Sequence, residues 1–440
     1  MKNITRIKLL FIFLVVVLTF SIPGCISKYN NTDISGQSTE KKQDNSITVD
    51  KKTIIYSYGG NDHGGSMKRN IELFQKANPD IQVKLQQLPD STDYQFNAYQ
   101  VALSAGDSSF DVFNADIIWI AGLASANWIL PLDRFFDEAK QQEFFANAIE
   151  ACTYNGRIYA VPSRTDAPFL YYRSDIISQP PKTYEELMAL VRKNKNFPGI
   201  KYGYIFQGVS YEGLVCNVLE FIWNNGGEVF ENGKVVINTP ESIEGLQLFI
   251  DIINSDVSSH DVLGFQEEDA RIAFQDGTAI FMRNWPYAYK RLNGEDSKVK
   301  GKVGVAPLPV GPKGKMSRGT LGGWNYTINR HSKNPELAWK FIEWMSSYDA
   351  QVLDNTVGGY VPARKAVYHN EQVKKANPWV TDFTGIFESA KPRPVSPYYA
   401  SISESMQVNF TNAVLGKISA RTAIENIEKD LKEILLRNNN

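Results

Sequence analysis

Two carboxylates stand where chemistry could be done. Asp116 closes the short strand-like run Asp111-Val112-Phe113-Asn114-Ala115, and Asp166 follows the β-rich Ile158-Tyr159-Ala160-Val161-Pro162. Glycoside hydrolysis needs two acids about 5–10 Å apart, and these two could meet across a cleft. A sugar needs flat apolar platforms as well. Trp285, in Arg283-Asn284-Trp285-Pro286-Tyr287, and Trp324, after Gly322-Gly323, are the candidates. Gly323 would let the backbone come close to a ligand. Arg393 sits between Pro392 and Pro394 and offers a planar fork of donors. The plain alternative is that both tryptophans are ordinary core and that the carboxylates are caps or surface charges.

Other chemistry finds little support. There is no Gly-x-Ser-x-Gly elbow, P-loop or His-Glu-x-x-His. His63, His260, His331 and His369 are isolated, without metal-ligand spacing, so neither metal nor cofactor is expected. Beyond Cys25 only Cys152 and Cys216 remain; they form a disulfide or stay as two buried thiols. A formal net charge of −1 lacks the basic footprint of a nucleic-acid binder.

The elements that must position these residues alternate between strand and helix. Residues 53–58 are β-rich. Met67, Ile71 and Phe74 fall at helical spacing, and Ile81, Val83 and Leu85 alternate with polar residues. Such a strand–helix–strand predicts parallel strands. Its first loop, Gly59 to Gly65, lies at a strand's carboxyl end, where open α/β sheets bind ligands. Asn155-Gly156 predicts a hairpin turn. Thr183 with Glu186 makes a capping box, Thr239-Pro240 and Asn334-Pro335 open further helices, and Gly277 reads as a helix C-cap before a strand over 278–282. Residues 163–167 read as a crossover between two lobes. With 440 residues, 43% of them apolar, the chain can bury a core large enough for two domains. The pattern predicts an α/β fold.

The helix ending in Asp276-Gly277, the strand with Phe281-Met282 and the Arg-Asn-Trp-Pro-Tyr that follows resemble the bacterial extracellular solute-binding proteins that feed sugar ABC transporters, in the trehalose/maltose-type branch. The likeness runs from about residue 53 onward. It implies a two-lobed periplasmic-binding-protein fold of type II, like maltose-binding protein, with the ligand between the lobes. On that pattern residues 50–164 and 286–327 form the N-lobe, and 165–285 and 328–437 the C-lobe. The family places ligand contacts in the segments of Trp285, Trp324, Gly323, Asp116, Asp166 and Arg393, and also at Tyr211, Glu212, Asn61 and Asp62. It implies a sugar ligand, permease subunits as partners, a monomer and no catalysis. The alternatives are an exported glycoside hydrolase using Asp116 and Asp166, and a receptor for a polyol, glycerol phosphate or peptide.

The N-terminus carries a targeting signal. Lys2, Arg6 and Lys8 precede an almost wholly apolar run over 9–20, too short to span a bilayer comfortably, which reads as a signal peptide over 1–24. Ile22-Pro23-Gly24-Cys25 resembles a bacterial lipobox, with Pro23 in place of the usual small or hydroxyl residue. In such a motif Cys25 is acylated and anchors the chain to the outer face of the cell membrane; a plain secretory signal is the alternative. Residues 25–49 are too polar to fold and would form a flexible tether.

Overall fold

The computed structural model describes residues 51–60, 65–89, 91–231 and 233–437. The signal segment, Cys25, the tether, Asn61 and Asp62 lie outside the described residues. The strands run β1 (Lys52–Gly59), β2 (Ile81–Leu88), β3 (Val112–Asp116), the hairpin β4 (Thr153–Tyr154) and β5 (Arg157–Ile158), β6 (Val161–Asp166), β7 (Phe169–Arg173), β8 (Tyr202–Ile205), the hairpin β9 (Phe230–Glu231) and β10 (Lys234–Val235), β11 (Ala279–Asn284), β12 (Val303–Ala306) and β13 (Gly322–Ile328).

Two sheets carry two lobes. The first has the order β2-β1-β3-β13-β6 and the second β12-β7-β11-β8. Strands β1 and β2 pair in parallel around the helix Ser66–Ala77, whose Ile71 and Phe74 are buried. Asn155 and Gly156 take φ of 48° and 73°, as the tight β4–β5 hairpin requires. Thr183 accepts from the Glu186 amide at 3.1 Å while Glu186 accepts from the Lys182 amide at 2.7 Å. Gly277 has φ 76° after the helix Glu267–Gln275, and β11 continues past 282 to Asn284.

The lobes exchange the chain at points that differ from the sequence expectation. Residues 163–166 belong to β6, the edge of the first sheet, so the chain crosses at Ala167-Pro168. The expected N-lobe segment 286–327 divides. The helix Tyr287–Leu292 buries Ala288 and Leu292 in the second core, and β12 pairs with β7 in the second sheet. Only β13 returns to the first sheet, so residues 307–321 form another crossing. The helix Pro335–Met345, expected in the C-lobe, packs on the first core. Its Phe341 ring lies 5.4 Å from both Phe74 and Tyr56, because its apolar stripe completes the layer over β1. The second core then takes the helices Tyr399–Val414 and Ala420–Arg437.

Candidate functional site

Strand register gathers the first lobe's contribution. Trp324 on β13 stands opposite Asp116 on β3 and Arg164 on β6. Directly opposed residues share a face of the sheet, so carboxylate, indole and guanidinium form one row. Trp324 meets Trp119 edge-on, with centroids 5.6 Å apart, and the Arg164 guanidinium lies 5.6 Å from the Trp324 ring. Gly322 stands opposite Asp166. Gly323 has φ 148°, and a Cβ there would lie 2.8 Å from the Arg164 carbonyl, so only glycine fits.

Asp166 is partly buried, with its Oδ2 3.8 Å from Arg164 Nε. Burial pushes its carboxyl up to about 7; Arg164 opposes this and Asp116 adds to it. Burial also raises Asp116, against Arg393 and the Ile118 amide, which donates to its Oδ1 at 3.1 Å.

The second lobe supplies Trp285 at the end of β11. Its amide donates to Asn284 Oδ1 at 2.8 Å, its carbonyl accepts from the Tyr171 hydroxyl at 2.9 Å, and its Nε1 donates to Glu267 Oε1 at 3.4 Å. A Cβ on Gly322 would come within 3.0 Å of Trp285 Cζ3 and 3.1 Å of Asp166 Cβ. Trp285, Gly322 and Asp166 therefore meet at the seam between lobes.

Arg393 faces Asp116 across that seam at 3.5 Å and pairs with Glu212 at 2.8 Å. Glu212 opens the helix Glu212–Asn224 and also accepts from the Tyr399 hydroxyl at 2.6 Å and from the Ser403 hydroxyl. Through these three donors it holds Arg393 and the start of the helix Tyr399–Val414 at the edge of the cavity. Tyr211 likewise donates to Glu267 Oε2 at 2.7 Å.

Beside this cluster a cavity of about 660 Å³ opens between the lobes. One wall is the face of the helix Thr92–Ser104 bearing Asp93, Phe96, Asn97 and Gln100, with Ile118 and Trp119 beyond; the other carries Glu212, Tyr398, Tyr399 and Glu404. Its size and its mixture of rings and convergent polar groups suit a small organic solute. Burial, together with Glu212, raises the Asp93 carboxyl. Phe96, Trp119, Tyr398 and Tyr399 were not singled out in the sequence; the doubled Tyr at a helix start was the available signal. Among the described residues no group of three or more His, Cys, Asp or Glu could hold a metal ion. Cys152 and Cys216 are both free and buried, which settles the pairing question in favour of two thiols.

Residues 60–352 match the model of the family described as bacterial extracellular solute-binding protein. A "probable ABC transporter-binding protein" of Deinococcus radiodurans is 34% identical over 367 residues, covering 80% of this chain and 86% of that one. The maltotriose-binding protein of Pyrococcus abyssi is 26% identical over 368 residues, covering 82% and 76%. The maltose-bound structure of T. maritima MalE3 superposes with a TM-score of 0.83 at 39% identity, covering 87% of this chain and 99% of that one. This chain belongs to the bacterial extracellular solute-binding proteins.

Proposed function

We propose that this protein captures a short oligosaccharide, of the maltose or trehalose class, between its lobes and delivers it to the permease of an ABC importer. The observation that carries the reading is the interlobe seam. Trp324, Asp116 and Asp166 from one lobe face Trp285 and Arg393 from the other, beside a cavity of about 660 Å³ walled by Phe96, Trp119, Tyr398 and Tyr399. Rings cover the apolar faces of a sugar and carboxylates take its hydroxyls. The maltotriose and maltose named for two relatives support the ligand class. A disaccharide of about 23 heavy atoms, at roughly −0.3 kcal/mol per atom, gives about −7 kcal/mol, near micromolar affinity and suited to capture with release. Calorimetry against maltose, maltotriose, trehalose and a polyol tests this; no binding to any sugar overturns it.

The lipobox-like Gly24-Cys25 after the apolar run supports attachment through an acylated Cys25 at the outer membrane face. Changing Cys25→Ser should release the protein into the medium, and retention on the membrane would rule the anchor out. One acyl chain binds only marginally, so stable anchoring takes more than one.

A second reading, glycoside hydrolysis, draws on the Asp166 carboxyl, whose value near 7 would suit a general acid. Product analysis after incubation with oligosaccharides separates the two, since a receptor returns its sugar intact.

A further inference from the structure

Arg283 is the largest fully buried side chain among the described residues, at 0% exposure, and its partner Glu220 is 1% exposed. Arg283 Nε donates to Glu220 Oε2 at 2.9 Å, Nη2 donates to Glu220 Oε1, and Nη1 donates to Gln207 Oε1 at 2.9 Å. Gln207 returns a bond from Nε2 to the Arg283 carbonyl at 3.2 Å and takes one from Asn217 at 3.3 Å. A buried ion pair of this kind roughly breaks even against apolar side chains of the same size. What the arrangement provides is a fixed geometry. The guanidinium lies 4.3 Å from the centre of the Trp285 ring, within cation–π range. Glu220 Oε1 also accepts from the Thr320 amide at 3.2 Å, inside the crossing that leads into β13. Two residues on, Gly322 lies against the edge of the same indole.

We propose that Arg283 is a positioning residue. It sets the plane of Trp285 from below and, through Glu220, ties that plane to Thr320 at the lobe crossing, so the stacking face is fixed before sugar arrives. The proposal rests on the reading of Trp285 as a sugar platform. Preorganisation of this sort improves affinity by lowering the ordering cost of binding.

The ring can be read without ligand. The near-ultraviolet circular dichroism of the unliganded parent minus that of Trp285→Phe isolates the Trp285 band. That band should vanish in Arg283→Met/Glu220→Met, which leaves no orphan charge, and in Arg283→Lys, which keeps charge but lacks the planar fork. Maltose affinity should fall about tenfold in the double variant, the scale of a desolvated cation–π contact. The same double change made on Trp285→Ala should alter affinity less than about twofold, because the contact is already gone. A Trp285 band that persists without Arg283, or an equal affinity loss in the Trp285→Ala background, overturns the proposal. Failure of the parent to bind any sugar overturns the sugar reading alone, and the band still decides Arg283. If the double variant does not fold, Arg283→Lys decides.

Discussion

Asp116 and Arg393 face each other across the two lobes, with Oδ1 and Nη2 3.5 Å apart. Arg393 is held from behind by Glu212 at 2.8 Å, and its Nη2 also reaches the Leu321 carbonyl at 3.5 Å. One guanidinium therefore touches a first-lobe carboxylate, a crossing between lobes and the start of a second-lobe helix. Opening the lobes would part Arg393 from Asp116 but not from Glu212, since the latter two share a lobe. That asymmetry gives the two acids different jobs.

Glu212 should prove structural. Replacing Glu212→Gln leaves Arg393 buried with its partner's charge removed, a change that costs about 3–5 kcal/mol in such pairs. The urea midpoint should drop accordingly with an unchanged slope. Sugar affinity should fall as well, because Tyr399 and Arg393 both lose their anchor. Weakened binding at full stability would instead make Glu212 a direct ligand contact.

Asp166 should make both stability and binding depend on pH. Its folded value of about 7 lies above the reference 3.8, so the folded state holds the proton more tightly. Its favourable contribution is thus present below 3.8, is lost as pH rises towards 7, and leaves a buried charge penalty above that. Changing Asp166→Asn should raise the unliganded melting temperature over the parent by more at about pH 8 than at about pH 5. The ionised form is the better acceptor for sugar hydroxyls. Parent affinity should accordingly increase between about pH 6 and about pH 8, and that rise should shrink in Asp166→Asn. A parent with flat affinity would detach Asp166 from the ligand.

Gly323 should tolerate no side chain. Its φ is 148°, and an added Cβ would stand 2.8 Å from the Arg164 carbonyl, so Gly323→Ala forces β13 away from β6. The row Asp116–Trp324–Arg164 would lose register. Strain at such a position costs on the order of 1–3 kcal/mol. Melting temperature and sugar affinity should both fall; a variant indistinguishable from the parent would show that the close approach is not required.

Local signals carried much of the architecture. The parallel β1–β2 unit, the Asn155-Gly156 turn and the Thr183 cap each depend on residues near one another in the chain, and each forms where the sequence predicts. Lobe membership did not follow from local pattern. β12 and β13 are both short strands, and which sheet each joins depends on partners more than a hundred residues away. The same applies to the site. The strand ends bearing Asp116, Asp166 and Trp285 are visible as types, whereas the three protein donors that Glu212 holds come from residues about 180 or more positions away and have no local signal. The cavity between Phe96 and Trp119 on one side and Tyr399 on the other exists only once the lobes face each other.

The two tryptophans should fail differently from the two aspartates, and differently from each other. Trp324 packs edge-on against Trp119 and so supports the first core; Trp324→Ala should lower both melting temperature and affinity. Trp285 rests on Arg283, and its removal uncovers a guanidinium that Glu220 and Gln207 still hold. Trp285→Ala should therefore weaken binding by about 1–3 kcal/mol, the value of the apolar area a sugar face would cover, with a smaller change in melting temperature. Neither change should much alter which sugar is preferred, because a ring face does not read hydroxyl direction. Asp116→Asn and Asp166→Asn do remove that reading, and each should cost about 2 kcal/mol or more while shifting the preference between epimers. Calorimetric affinities for a pair of epimeric sugars, measured beside unliganded melting curves for all four variants, check the whole pattern. Four variants that bind like the parent would remove these residues from the site. A Trp285→Ala whose lost affinity merely tracks lost folding would return that ring to the core.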